Sequence, residues 1–370
     1  MSRFSNLLSP GARELGRYST PPVRAQRAHQ SQAPLIRLDS NENPLGPSPL
    51  AVDALRAAIA NAHLYPDDDC SGLRGKLAAR YGVQVEQTLV TAGSTGLLSL
   101  LCQALLSPGL NAVTSERSFV VYSHLVRATG AQLIEASMRE DGFDLAAILN
   151  AINAKTRLVF LANPNNPTGT MLAAEEVESF LARVPGHVVV VLDEAYCEYA
   201  AHFASLRGVE YSRSLDYVRQ GAAVVVLRTF SKVHGLAGLR VGYGFGPVDL
   251  LAYCAQMRTT YSVASVAEAA ALAAMDDHDH IDRTVRLNAD QSDVLTRGLS
   301  DLGYRVVPTW ANFIYCDLRE DALGFATRLQ QEGVVIRPLG PWGAPHCVRV
   351  SIGTAEQNGC FLQAVREIRK

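Results

Sequence analysis

Three short stretches, Arg157-Leu-Val-Phe-Leu161, His187-Val-Val-Val-Val-Leu192 and Ala223-Val-Val-Val-Leu227, are apolar at nearly every position instead of at alternate ones. A strand with one wet face alternates. A strand apolar on both sides needs cover above and below, which helices on either side of a parallel sheet provide. Further β-rich stretches are Thr88–Thr91, Ala112–Thr114, Gln132–Glu135 and Arg240–Gly244, with helical patterns such as Ser94–Leu106 and Ala173–Arg183 between strands. The alternation predicts an α/β fold built on a mainly parallel sheet of seven strands. After about Asp276 the pattern changes: a long helix, Ile281–Leu302, precedes strands Tyr304–Val307 and Asn312–Cys316, another helix and two short strands, which reads as a smaller α+β domain. A chain of 370 residues accommodates two such units. The expected division is an N-terminal arm over 1–37, a large domain over 38–276 whose first segment packs partly with the small domain, and a small domain over 277–370.

Composition excludes several classes of function. The formal charge is −2, with no basic stripe of the kind nucleic acid requires. No apolar run approaches the roughly 18 residues of a spanning helix, and the first 32 residues contain no sustained apolar segment ahead of a cleavage site. Seven cysteines are dispersed without metal-ligand or redox spacing, which predicts buried free thiols in a reducing cytoplasm and no metal. The expected partners are small molecules and further copies of the chain.

Four segments carry chemistry. Arg228-Thr-Phe-Ser-Lys232, followed by Gly235-Leu-Ala-Gly-Leu-Arg240, places a lysine among hydroxyls and guanidinium groups at the end of a β-run. A desolvated lysine beside other cations has a lowered pKa and forms Schiff bases, and Thr229, Ser231 and Arg240 suit a phosphate; a surface lysine in a turn is the plain alternative. Asn163-Pro-Asn-Asn-Pro-Thr-Gly169 follows a strand at the edge where open α/β sheets hold ligands, and Asn166 would offer an amide to a ring hydroxyl. A rigid connector would look similar. Asp193-Glu-Ala-Tyr196 also ends an apolar strand, and an aspartate there can pair with a protonated pyridine nitrogen or merely cap a helix. Ala92-Gly-Ser-Thr-Gly96 joins a strand to a helix whose first N–H groups favour phosphate, although simple capping explains it equally.

In their order and spacing these segments resemble the class I/II, fold-type I aminotransferases, and most of all the histidinol-phosphate aminotransferase branch. Leu38-Asp-Ser-Asn-Glu-Asn-Pro-Leu-Gly-Pro-Ser-Pro49, Tyr65-Pro-Asp67, Val335-Ile-Arg-Pro-Leu-Gly340 and Cys347-Val-Arg-Val-Ser-Ile-Gly-Thr354 extend the resemblance from about Leu38 to the C-terminus. It implies pyridoxal 5′-phosphate as cofactor, bound covalently by Lys232, which also shuttles the proton. Asp193 would pair with the ring nitrogen, Asn166 and Tyr196 with the ring's 3′-oxygen, and Phe119 would stack on the ring unless it is a core residue. Ser94, Thr95, Thr229, Ser231 and Arg240 would cradle the phosphate. Tyr65 would reach it from a neighbouring subunit, making a homodimer with shared sites. Arg349 would grip the substrate α-carboxylate, Arg337 its far end, and Asn43 would touch substrate.

Three departures from the family pattern stand out: Thr95-Gly96 in place of an acidic pair, His234 where an aromatic is commoner, and Trp342 where a smaller aromatic is common. The implied reaction is amino transfer between L-histidinol phosphate and 2-oxoglutarate in histidine biosynthesis. Alternatives are an aromatic amino acid aminotransferase, a phosphoamino-acid decarboxylase and a non-catalytic cofactor-sensing regulator. The regulator would need a DNA-binding domain, for which the roughly 35 residues before the first motif are too few.

Overall fold

The computed structural model describes residues 7–15 and 35–369. Most of the expected arm therefore lies outside the described residues, apart from a short helix, Pro10–Glu14, whose N-cap Ser9 accepts a hydrogen bond from Ala12 N.

The central sheet comprises β1 (Thr88–Thr91), β2 (Asn111–Ser115), β3 (Gln132–Ala136), β4 (Thr156–Ala162), β5 (Val189–Asp193), β6 (Val224–Thr229) and β7 (Gly242–Phe245). Its spatial order is β1-β7-β6-β5-β4-β2-β3. Only β7 runs antiparallel to its neighbours. Val190, Val191, Val225 and Val226 are fully buried, as their unbroken apolar sequence requires. Two helices matter below: α1 (Ser94–Leu105), directly after β1, and α2 (Val121–Ala128), after β2.

Register brings the motifs to one edge. In the parallel pairs Ala162 stands opposite Asp193, and Asp193 opposite Leu227, so the loops after β4, β5 and β6 leave the sheet side by side. Because β7 is antiparallel, its first residue Gly242 lies beside both Thr91 and Thr229, which returns Arg240 to that same edge. The chain order reverses between β2 and β4, and such a switch point opens a crevice at the strands' carboxyl ends.

A second apolar core gathers around a four-stranded antiparallel sheet of order β8-β9-β11-β10: β8 (Arg305–Val307), β9 (Phe313–Asp317), β10 (Arg337–Pro338) and β11 (Cys347–Ser351). Leu295, Ile314, Phe325, Val350 and Phe361 fill it, and Leu38 joins them from the other end of the chain. Ile36–Arg37 pairs in parallel with Val334–Val335, which fastens the first motif beside this sheet. Between the cores runs α3 (His278–Asp301).

Two boundaries differ from the sequence expectation for local reasons. The long helix starts at His278 instead of Ile281, because the Asp277 carboxylate accepts from His280 N and caps it earlier. The strand expected from Arg240 starts at Gly242, because Arg240 adopts a left-handed conformation, φ 56°, outside the strand region.

Candidate active site

A cavity of about 560 Å³ opens at the sheet's carboxyl edge, lined by both cores. Lys232 lies within it, three residues past β6. Its Nζ donates to the carbonyl of Asn41 at 3.2 Å. Burial is the main reason its pKa falls to about 8, and the positive Arg349 and Arg240 push it the same way against Glu42. The amine therefore gives up its proton far more readily than an exposed lysine does. A surface lysine in a turn is not what the structure holds.

Asp193 ends β5 inside the same cavity. Burial raises its pKa to about 6, although Tyr122 OH donates to its Oδ2 at 2.9 Å and opposes the shift. The other oxygen, Oδ1, is buried and has no hydrogen-bond partner among the described residues. Tyr122 is held by stacking on Phe160, with centroids 4.7 Å apart and planes 9° from parallel. Tyr122 was not singled out in the sequence, although it lies three residues beyond Phe119 in Ser118-Phe-Val-Val-Tyr122. Phe119 packs its edge on Tyr122 at 5.5 Å and presents the rest of its ring to the cavity.

Asn166 and Tyr196 meet across the cavity. Asn166 Nδ2 donates to Tyr196 OH at 3.4 Å, and Asn41 Nδ2 donates to the same oxygen at 3.0 Å. Two donors fill the acceptor capacity of that hydroxyl and leave its own proton to be given elsewhere. Burial raises the Tyr196 pKa, so it remains a neutral donor. Arg349, on β11, donates from Nη1 to Asn166 Oδ1 at 2.7 Å and from Nη2 to Asp39 O at 2.8 Å.

The phosphate-like corner is made by loops from three strands. Ser94 and Thr95 open α1, and Thr229, Ser231 and Arg240 face them. Thr229 Oγ1 donates to Ser231 Oγ at 3.0 Å, and Arg240 Nη1 donates to Ser231 Oγ at 3.4 Å. Glycine is required twice here. Gly93 has φ 75°, and a Cβ on it would stand 2.5 Å from Arg240 Nη2; a Cβ on Gly242 would stand 2.1 Å from Ser94 N.

The remaining expected residues divide. Arg337 lines the cavity from β10, but its guanidinium is engaged by Asp39, with Nε 3.3 Å from the carbonyl and Nη2 3.4 Å from Oδ2. Asn43, expected to touch substrate, is absent from the lining. Its Nδ2 donates to Val233 O at 2.8 Å and its Oδ1 accepts from Leu45 N at 2.9 Å, so it braces the loop beyond Lys232. Asn41 faces the cavity instead, turned by a left-handed backbone, φ 55°. Tyr65 lies outside its own chain's cavity, 81% exposed and stacked on Tyr261 at 4.6 Å. His234 is buried against Phe230, and burial, aided by His280 and Arg80, drives its pKa to about 3. It behaves as a neutral ring. Trp342 does line the cavity, beside Pro341.

Residues 33–365 match the family of class I and II aminotransferases. The chain belongs to that family. It is 43% identical to histidinol-phosphate aminotransferase 2 of Pseudomonas aeruginosa over 100% of this chain and 99% of that protein. It is 40% identical to a histidinol-phosphate aminotransferase of Moorella thermoacetica, over 94% and 89% of the two chains. Among solved structures, histidinol-phosphate aminotransferase from Sinorhizobium meliloti in complex with pyridoxal-5′-phosphate superposes with a TM-score of 0.82 at 28% identity, over 90% of this chain and 91% of that one. Aminotransferases of this class depend on pyridoxal 5′-phosphate. The site fits that group on its own terms: a buried carboxylate oxygen lacks a donor among the described residues, an amine of lowered pKa shares its cavity, and a glycine-walled cationic corner lies beyond.

Proposed function

We propose that this aminotransferase moves the amino group of L-histidinol phosphate to 2-oxoglutarate, as a homodimer with shared sites, in the cytoplasm. One observation carries the reading: Lys232, Asp193, Arg337 and Arg349 converge on one cavity in a chain akin over its full length to enzymes named for that reaction.

Bound here, pyridoxal 5′-phosphate would supply an aldehyde for covalent attachment and a ring that takes up the electron pair of a broken Cα–H bond. Lys232 would hold it and, once displaced by substrate, carry the proton at Cα; its lowered pKa suits a base working near neutrality. Asp193 Oδ1 would accept from the protonated ring nitrogen, while Tyr122 fixes the carboxylate through Oδ2. Tyr196 OH would donate to the 3′-oxygen with Asn166 beside it, and Phe119 would pack on the ring face. The N–H groups opening α1, with Ser94, Thr95, Thr229, Ser231 and Arg240, would bind the phosphate. Arg349 would orient the substrate's anionic group by a bidentate fork, and Arg337 would assist once released from Asp39.

The exposed Leu64, Tyr65 and Tyr261 support a subunit interface that delivers Tyr65 to a neighbouring phosphate corner. Two cores meeting at the cavity support the division into domains 38–276 and 277–370. Seven unpaired thiols, six buried as expected and Cys360 exposed against that expectation, support a reducing compartment. The aromatic lining by Trp342 and Phe119 favours a second reading, transamination of aromatic amino acids. Half-reactions of the holoenzyme decide between them: L-histidinol phosphate should convert the coenzyme to its amine form faster than phenylalanine or tyrosine does. Conversion by phenylalanine alone would replace the first reading with the second.

A further inference from the structure

Beyond the residues that the family pattern marks, one face of α2 turns toward the cavity. Val120, Ser123, His124 and Arg127 line it, at spacings of three, four and seven residues that place them on one side of a helix. Tyr122 and Val126 face the other way, into the core. Arg127 stands about 10 Å along the helix axis from Val120, at 1.5 Å per residue. Its long side chain leans toward the helix N-terminus, back over His124 and Ser123. The residue itself is exposed, so its charge lines the cavity from the solvent-open side.

The charges explain why this position matters. Among the described residues, five Lys or Arg side chains line the cavity against two carboxylates, Glu42 and Asp193. The coenzyme phosphate would engage Arg240, and Arg349 already donates to Asn166 and Asp39. Arg337 shares the Asp39 carboxylate with Arg37, which binds it at 3.1 Å. The Arg127 side chain has no ion pair or hydrogen bond among the described residues; its backbone carbonyl accepts from Gly130 N. A cation placed among like charges with no carboxylate beside it gains nothing in folding. An anionic ligand supplies what is missing.

We propose that Arg127, flanked by His124 and Ser123, is a specificity-determining residue that receives a substrate anion from the large-domain wall of the cavity. The anion is the phosphate of the amino donor or the side-chain carboxylate of the dicarboxylic partner. This rests on the functional reading above but can be tested apart from it.

Two donor pairs differing only in charge serve as probes for the holoenzyme: L-histidinol phosphate against L-histidinol, and L-glutamate against L-glutamine. Single-turnover kcat/KM is measured for wild type, Arg127→Gln and Arg127→Lys. In at least one pair, Arg127→Gln should lower kcat/KM at least ten-fold more for the charged member than for the neutral one. The loss should lie in KM, and Arg127→Lys should recover part of it. A selective loss with histidinol phosphate assigns the phosphate, one with glutamate the carboxylate, and both a shared subsite. Equal losses within both pairs, or none, would overturn the proposal. Should the wild type ignore histidinol phosphate, the functional reading fails while the glutamate pair still decides the role of Arg127.

Discussion

Asp193→Asn should stabilise the coenzyme-free protein while disabling it as an enzyme. Burial raises this carboxyl from 3.8 to about 6, and Tyr122 OH, which opposes the shift, would donate equally well to an asparagine oxygen. A pKa raised on folding means that the folded state prefers the protonated form. That preference supports folding fully below pH 4 and is lost as pH rises through 6. A shift of about two units at 1.36 kcal/mol each gives about 3 kcal/mol of destabilisation at pH 8. Asparagine has no such penalty. For a chain of this length the entropy of unfolding is about 0.8 kcal/mol per degree, so the gain is about 4 °C in Tm. Differential scanning calorimetry of the coenzyme-free proteins should show Asp193→Asn melting higher than wild type at pH 8, with the gap falling to about a third near pH 4.5 and closing below pH 4. Addition of pyridoxal 5′-phosphate should reverse the order at pH 8, because only the aspartate can pair with a ring cation. A variant that melts lower than wild type at pH 8 without coenzyme, or a gap independent of pH, would refute the account of Asp193 as a strained, function-bearing charge.

Two further outcomes follow from the same geometry. His234→Phe should leave the pH dependence of kcat/KM superimposable on wild type between about pH 6 and 9, since burial holds the imidazole neutral with its pKa near 3. A displaced limb in the pH–rate profile would show that His234 titrates with the chemistry. Tyr65→Ala and Lys232→Ala chains, each nearly inactive alone, should recover about a quarter of wild-type activity when mixed as hybrid dimers, where one site regains both residues. Absence of recovery in hybrids verified by mass would place Tyr65 outside a shared site.

How much of this was legible beforehand depended on how local each signal is. Lys232, Asp193, Asn166 and Arg240 sit in strand-end segments whose residue types suggest their chemistry, and the structure gathers all four in one cavity. Asn41, and not the expected Asn43, faces the cavity, since a left-handed turn at Asn41 directs its side chain inward; asparagine favours such turns, but Asn41 and Asn43 are the same residue type and local sequence does not say which one turns. Tyr122 escaped notice because its hydroxyl meets Asp193 from 71 residues away. Arg337 was expected at the substrate's far end, and its engagement by Asp39, 298 residues earlier, could not be seen in the sequence.

The alternation of doubly apolar strands with helices determined the α/β class by itself, because periodicity and β-branching act within a few residues. The segments at strand ends suggested a Schiff-base lysine beside a phosphate corner, and their resemblance to class I/II aminotransferases implied the amino transfer. Register was decided only in three dimensions: hydrogen bonding between distant strands levels Ala162, Asp193 and Leu227 and carries Gly242 back beside Thr91. Electrostatics were decided there too, since desolvation depends on everything packed around a group. The same lysine and aspartate in an extended chain would titrate as ordinary side chains; enclosed together, their pKa values shift to about 8 and about 6.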